Sequence, residues 1–391
     1  MNADGHAQLA LLGAPPAFAD GLAFVRPPVP PREAVFARLA DSYDRGMLTN
    51  GPLVRELEAA MAERLGVAHV VAMSSCTIGL MLVFRVLDVD GPVLLPSFTF
   101  SASAHAVAWN GLACRFAECD PDSFQLDLGD AKQRCDGVGA ILATHVFGAP
   151  CRPEEVEDLG ASAQVPVVFD AAHALGSRRG SRPIGGFGVA EVFSMTPTKP
   201  VVAGEGGLVA TNDAALAEAL RMGRDYGNPG NYDTQFVGLN GRMSELHAAV
   251  ALCSLDGFDE HLARRHEMAA RYRAGLTSVP GVRVQAVDAG DSSTYKDFTV
   301  AIDPAAYGVD RDTLVLALKA EGVDTRNYFD PPVHRQRSHA DGSELPVTDR
   351  AASQVVSLPI YPALDDATID RVVEIVAVVH TRADQITAAT R

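Results

Sequence analysis

The chain has 391 residues, a formal net charge of -16, and 47% hydrophobic and 21% charged residues, so a sizeable core can be buried and one large domain with a smaller companion is expected. The acidic balance argues against a nucleic-acid binder, which needs a dense basic face, and no apolar run approaches the roughly 20 residues that span a bilayer. The six cysteines form neither a CxxC pair nor a cluster at zinc-ligand spacing, so reduced thiols and no metal are expected.

Residues 1–31 mix Gly, Ala and Pro and end in Pro27-Pro28-Val29-Pro30-Pro31, too rich in proline for helix and read as an extended arm. No charged segment followed by an apolar stretch opens the chain, so a cytoplasmic location is expected. From 31 to 65 the spacing of Val35, Leu39, Leu57, Ala60, Met61 and Leu65 predicts helix, broken at Thr49-Asn50-Gly51-Pro52 by a turn expected to carry a functional loop. Short apolar runs at 69–72, 93–95, 140–143, 165–169 and 207–210 then alternate with helical patterns. Apolar strands separated by helices predict a mostly parallel sheet covered on both faces. The expected fold is therefore α/β, with a large domain over 32–256 built on that sheet. A smaller C-terminal α+β domain over 257–391 follows, with helix over 259–276, the segment Tyr295-Lys296-Asp297-Phe298-Thr299-Val300-Ala301-Ile302, helix over 311–321 and further strands and helices through 367–382.

Ligands gather at the carboxyl ends of strands in open parallel sheets, so residues just after each apolar run take priority. Ser74-Ser75-Cys76-Thr77-Ile78-Gly79 follows the first run and opens a helix, which suits a phosphate and equally suits a simple cap. Phe98-Thr99-Phe100 offers an aromatic face for a ring, or core packing. Asp170 opens Asp170-Ala171-Ala172-His173, where a carboxylate could meet a cationic ring nitrogen or cap a helix. Lys199 ends Ser194-Met195-Thr196-Pro197-Thr198-Lys199, ahead of Gly204-Glu205-Gly206-Gly207. These hydroxyl-rich and glycine-rich surroundings suit a loop approaching an anion, or an ordinary glycine turn.

Taken in this order, the set resembles a fold-type-I pyridoxal-phosphate enzyme, and more narrowly the DegT/DnrJ/StrS family of sugar aminotransferases, over about residues 50–376. The likeness is also carried by Thr49-Asn50-Gly51-Pro52, Pro96-Ser97-Phe98-Thr99-Phe100, Thr144-His145-Val146-Phe147-Gly148, Gly238-Leu239-Asn240-Gly241-Arg242-Met243 and Leu358-Pro359-Ile360-Tyr361-Pro362. The resemblance implies pyridoxal 5'-phosphate as cofactor, Lys199 as its Schiff-base lysine, Asp170 paired with the pyridine nitrogen, His173 near the phenolic oxygen and Phe100 stacked on the ring. Ser75, Cys76, Thr77 and Ser194 would form the phosphate cup, completed by Asn240 of a neighbouring subunit, which implies a homodimer with shared active sites. Asn50, Arg242 and His334 are the candidate substrate contacts. Arg242, His334 and Arg335 would supply local positive potential for an anionic nucleotide sugar, and each also reads as a surface charge.

The implied activity moves an amino group from L-glutamate or L-glutamine to a keto sugar, nucleotide-linked, or a related cyclic ketone, in amino-sugar or natural-product biosynthesis. Elimination, dehydration or a retro-aldol step on the same scaffold is the alternative, with a non-catalytic regulator behind it. Lys199 favours transamination, because relatives that dehydrate sugars lack this lysine. Neither a nucleic acid nor a membrane is expected as partner. Two departures stand out. Cys76-Thr77 replaces the usual Gly-Thr, so a positive φ is not expected at Cys76. Residues 326–334 differ from the common His-Tyr-Phe-Pro-Pro form and leave substrate contacts there open.

Overall fold

The computed structural model describes residues 9–390; residues 1–8, the start of the expected arm, and Arg391 lie outside the described residues. Helices α1 (Arg32–Asp44) and α2 (Pro52–Leu65) turn Val35, Leu39, Leu57, Met61 and Leu65 inward, as their spacing requires. Pro52 occupies the first turn of α2, where a missing N–H is harmless, and Gly66 ends the helix in the left-handed region. Strands and helices then alternate: β1 (His69–Met73), α3 (Cys76–Val86), β2 (Val93–Pro96), α4 (Ser101–Trp109), β3 (Cys114–Ala117), α5 (Leu128–Arg134), β4 (Ala140–Thr144), α6 (Pro153–Ala163) and β5 (Val167–Asp170). A short hairpin, β6 (Arg178–Arg179) and β7 (Arg182–Pro183), precedes β8 (Ala190–Ser194), β9 (Gly207–Thr211), α7 (Ala214–Gly223) and α8 (Glu245–Asp256).

The longer strands of this lobe make one 7-stranded sheet in the order β1-β9-β8-β5-β4-β2-β3. It is mostly parallel, with β9 antiparallel to both neighbours. Apolar clusters lie on its two faces, one around Phe169, Phe193 and Leu57 and the other around Val168, Val192 and Leu80. Strands β3 and β8 are absent from the apolar runs of the sequence because Arg115 and Glu191 interrupt them. Glu191 is nevertheless fully buried, its Oε1 accepting the N–H groups of Gly185 (2.9 Å) and Phe187 (2.7 Å).

The C-terminal lobe comprises α9 (Phe258–Leu276), β10 (Val282–Val284), β11 (Phe298–Ile302), α10 (Pro304–Tyr307), α11 (Arg311–Ala320), α12 (Pro346–Gln354), β12 (Val355–Leu358), α13 (Asp366–Thr381) and α14 (Ala383–Thr390). Its antiparallel sheet, β10-β11-β12, packs with the helices around Tyr272, Phe298, Leu314, Val356 and Val376. Leu9 and Leu22 are buried in this same core. The Glu321 carboxylate accepts the N–H groups of Ala10 (2.6 Å) and Ala17 (2.8 Å), and Leu22 N donates to Gly322 O (2.7 Å), so residues 9–22 are fastened to this lobe. Among the described residues the cysteines are unpaired, no group of three potential ligands is placed to hold a metal, and no helix is long and apolar enough to cross a membrane.

One buried carboxylate organises the start of α2. Glu245, 0% exposed at the head of α8, accepts hydrogen bonds from the N–H groups of Gly51 (3.0 Å), Leu53 (2.9 Å) and Val54 (3.0 Å) and from Ser42 Oγ (2.8 Å). The three N–H groups are donors that a helix start leaves without partners. Glu245→Ala strands all of them in a dry site. It is expected to destabilise the protein by about 3 kcal/mol or more, read from the shift in the urea midpoint; a change below about 1 kcal/mol would contradict this account.

Candidate active site

Because β1, β2, β5 and β8 run the same way, the loops that leave them meet at one edge of the sheet. A cavity of about 320 Å³ opens there, lined from the large lobe by Ser75, Cys76, Thr77, Phe100, Asp170, His173, Ser194 and Lys199. The volume falls at the small end of ligand sites, which suits a compact cofactor.

Ser75 caps α3, its Oγ accepting Ile78 N–H at 3.1 Å. The neighbouring first-turn N–H groups face a site where the helix dipole favours an anion. Cys76 opens the helix without a positive φ, as its side chain requires. Its thiol is held well above the ordinary range by burial first and by the Asp170 charge second, and so stays protonated. The backbone of β9 runs tightly against this helix start: a Cβ on Gly207 would lie 2.4 Å from Cys76 N, which is why the run before β9 ends in glycine.

Asp170 is 4% exposed at the end of β5. Its Oδ2 accepts Ser103 Oγ–H at 2.6 Å and its Oδ1 accepts Ala172 N–H at 3.0 Å, so the carboxylate caps a turn and no helix starts there. Thr99 Oγ1 extends the network, 3.0 Å from Ser103 Oγ and 3.1 Å from Thr144 Oγ1. His173 lies nearly parallel to Phe147, with ring centroids 6.4 Å apart and planes at 12°. Burial, then the charges of Lys199 and Lys296, push the imidazole well below its ordinary range, leaving it neutral. Gly148, at φ 97°, lets this packing close, since a Cβ there would strike Thr294 Oγ1 and His173 O.

Lys199 ends a turn closed by its own N–H on Thr196 O (2.9 Å), while Met195 N on Gly206 O (2.9 Å) ties the loop to the glycine-rich return. Its ammonium is pushed down to about 7, by burial first and by Lys296 second. Both protonation states of this amine are therefore populated near neutrality.

Lys296, Tyr328 and Phe329 close the cavity from the C-terminal lobe, and Thr196, Thr198 and Glu205 complete its wall. Lys296 and Ser103, both brought to the site by the fold, carry little signal in the sequence. The first stands before an apolar strand like any boundary charge; the second lies in the small polar start of α4, whose only local signal is its place after Phe100. Four expected substrate or cofactor contacts lie outside this cavity. Asn50 sits at φ 51° in the turn before α2, its N–H on Met243 O (3.0 Å). Asn240 is exposed and bridges to Asp225. Arg242 is ion-paired with Asp225 and lies 5.3 Å from the Tyr226 ring centroid. His334 is 2% exposed and turned inward, with Nδ1 2.6 Å from Ser97 Oγ and Nε2 3.2 Å from Asp349 Oδ1.

Comparison with known proteins places this geometry in a family. Residues 31–377 match the DegT/DnrJ/EryC1/StrS aminotransferase family. The dTDP-3-amino-3,4,6-trideoxy-alpha-D-glucose transaminase of Streptomyces venezuelae is 34% identical, over 90% of this chain and 93% of its own length. The UDP-2-acetamido-2-deoxy-3-oxo-D-glucuronate aminotransferase of Pseudomonas aeruginosa is 31% identical, over 85% of this chain and 94% of its own. Among solved structures, DesI in the presence of its TDP-sugar product superposes with a TM-score of 0.92 at 38% identity, covering 97% of this chain and 98% of that one. The chain belongs to the DegT/DnrJ/EryC1/StrS family of pyridoxal-phosphate-dependent aminotransferases.

Proposed function

We propose that the protein transfers an amino group from L-glutamate or L-glutamine to a keto sugar carried on a nucleotide, or to a related cyclic ketone, in amino-sugar or natural-product biosynthesis. The observation that carries this reading is Lys199, an amine pushed down to about 7 in one cavity with the buried Asp170 carboxylate and the start of α3. The dTDP- and UDP-linked sugars in the names of its relatives support the acceptor class.

The cavity residues fit pyridoxal phosphate. The first turn of α3, with the hydroxyls of Ser75, Thr77 and Ser194, would hold the phosphate, and the doubly hydrogen-bonded Asp170 would face the ring nitrogen. Phe100, 57% exposed, has a face free for the ring, and the orphaned Nδ1 of His173 makes that imidazole available to a partner. When bound, the cofactor supplies a ring that accepts the electron pair left as the donor loses its α-proton. Asp170 presents its negative charge from a fixed position, because Ser103 Oγ and Ala172 N hold its two oxygens. Lys199 Nζ accepts the α-proton and returns a proton later in the cycle, a task suited to an amine that titrates near the working pH. His173 stays neutral and donates or accepts a single hydrogen bond near the phenolic oxygen.

The protein acts as a homodimer in the cytoplasm on this reading, with Asn240 completing the neighbouring phosphate site. Leu48, Tyr226, Tyr232 and Val237 are exposed in the single chain, which is consistent with their being covered by a second subunit. The proposed domains are 32–256 and 257–391, with Gly257 parting α8 from α9, and residues 1–31 as the arm.

The test mixes the holoenzyme with L-glutamate or L-glutamine and follows the absorbance of the cofactor. Conversion to the pyridoxamine form, reversed by a nucleotide keto sugar with formation of an amino sugar, is expected, from a particle of twice the 41.3 kDa chain mass. Persistence of the pyridoxal form with every amino acid offered would sink transamination.

A further inference from the structure

Lys296 is a buried cation in the cavity wall to which the proposed chemistry gives no partner. It is 6% exposed, and a lysine so buried is rare without a strong reason. An ammonium carries three donors. One goes to Asp297 Oδ1 at 2.8 Å, and no second acceptor among the described residues takes a hydrogen bond from Nζ. Its remaining neighbour of note is the face of Tyr328, with the centroid 5.4 Å away. A buried ion pair is stabilising only when its other hydrogen-bonding capacity is met. Here it is unmet on both sides, for Asp297 Oδ2 is buried with no partner.

The placement of this charge is also specified from several directions. Lys296 N–H donates to Phe147 O (3.1 Å), behind His173, and Thr294 Oγ1 donates to His173 O (2.5 Å). The buried Arg265 donates to Tyr295 O at 2.9 Å, holding Tyr295 in the left-handed region at φ 45°. The turn that carries Lys296 is thereby latched both to the large lobe beside the cofactor residues and to α9. Its cation reaches the cavity wall, where Lys199 is the other cation and Asp170 and Glu205 are the carboxylates.

We propose that Lys296 binds the α-carboxylate of the amino donor, setting the donor's orientation over Lys199; this rests on the transamination reading above. The α-carboxylate is bonded directly to the carbon that loses its proton, so it must lie inside the cavity whenever that carbon is within reach of Lys199 Nζ. The phosphates of a nucleotide sugar are separated from the reacting ketone by the sugar ring and need no cation at this depth. Lys199 is committed to the cofactor and Asp170 to the ring nitrogen, so the unspent donors of Lys296 are the complement of a carboxylate.

The experiment compares wild-type holoenzyme with Lys296→Met, which keeps the length of the side chain, and Lys296→Arg, which keeps its charge. Calorimetry reads binding of glutarate, a dicarboxylate with no amine to react, and rapid mixing reads the two half-reactions separately. Lys296→Met is expected to weaken glutarate and raise the half-saturating L-glutamate concentration of the first half-reaction by about 10- to 100-fold. The reaction of the pyridoxamine form with keto sugar changes by less than about threefold, and Lys296→Arg recovers most of the loss. Unchanged glutarate and glutamate dependence overturns the proposal. So does a loss confined to the keto-sugar half, which would assign the charge to acceptor phosphates, and so does an equal loss in both halves with a lowered melting temperature, which would make the lysine structural. If wild type itself never reaches the pyridoxamine form, transamination fails, while the glutarate comparison still decides what Lys296 binds.

Discussion

Lys199→Ala is expected to lower turnover by on the order of 10⁴-fold, the full contribution of a positioned acid-base group, or more. On the proposed function, the substitution removes both the covalent attachment of the cofactor and the amine that moves the donor's α-proton. No neighbour substitutes: Lys296 is engaged by Asp297, His173 is neutral, and the Cys76 thiol stays protonated. Melting temperature should change little, because the turn is closed by the backbone of Lys199 rather than its side chain. Denaturing mass spectrometry after borohydride reduction should show the cofactor's mass on wild type and none on the variant. The pH dependence of cofactor capture follows from the same amine. Only neutral Nζ attacks an aldehyde, and with the amine titrating at about 7 its neutral fraction grows as pH rises through that value and then levels off. One unit below it, about a tenth is neutral. Capture by cofactor-free protein that kept climbing to the pH of an ordinary lysine would refute the buried environment assigned to Lys199.

Asp170→Asn should cost about 10²- to 10³-fold in turnover, in the range of a single preorganised electrostatic contact. The amide matches the carboxylate in shape and retains an acceptor for Ser103 or Ala172, so the fold should hold. What it loses is the negative charge that, on the proposed function, keeps the ring nitrogen protonated. Nitrogen NMR of ring-labelled cofactor should show a protonated nitrogen in wild type and a neutral one in Asp170→Asn. Activity within about threefold of wild type would remove Asp170 from the mechanism. Ser103→Ala offers a graded companion, since the carboxylate then keeps its charge and loses one of its two anchors.

The legible part of the site was the part written in short stretches. Ser75, Phe100 and Asp170 each come just after an apolar run, and a parallel sheet brings the carboxyl ends of such strands to one edge. Lys199 was legible through its glycine-rich sequel, whose Gly207 the crowded helix start requires. Strands β3 and β8 escaped notice because Arg115 and Glu191 break their apolar runs, and burial of Glu191 is possible only because Gly185 and Phe187 supply its hydrogen bonds from a loop. The attachment of residues 9–22 was equally hidden, since proline-rich composition speaks of extended backbone and says nothing about the Glu321 carboxylate that receives Ala10 and Ala17.

By itself, the order of residues along the chain determined the α/β class and the loops that line the cavity, Lys199 among them, because each is encoded in a short stretch at the end of a strand and the turn after it. Only the tertiary structure decided which remote groups complete the cavity. Ser103 becomes the anchor of Asp170 by the packing of α4 against the sheet, and Lys296 reaches the cavity wall because the C-terminal lobe docks its turn onto Phe147 and His173. His334, equally polar in sequence, is turned into the interior by Ser97 and Asp349. Local patterns record which backbone a segment prefers; whether a charge ends in solvent, in the core or against a substrate depends on what the rest of the chain brings to face it.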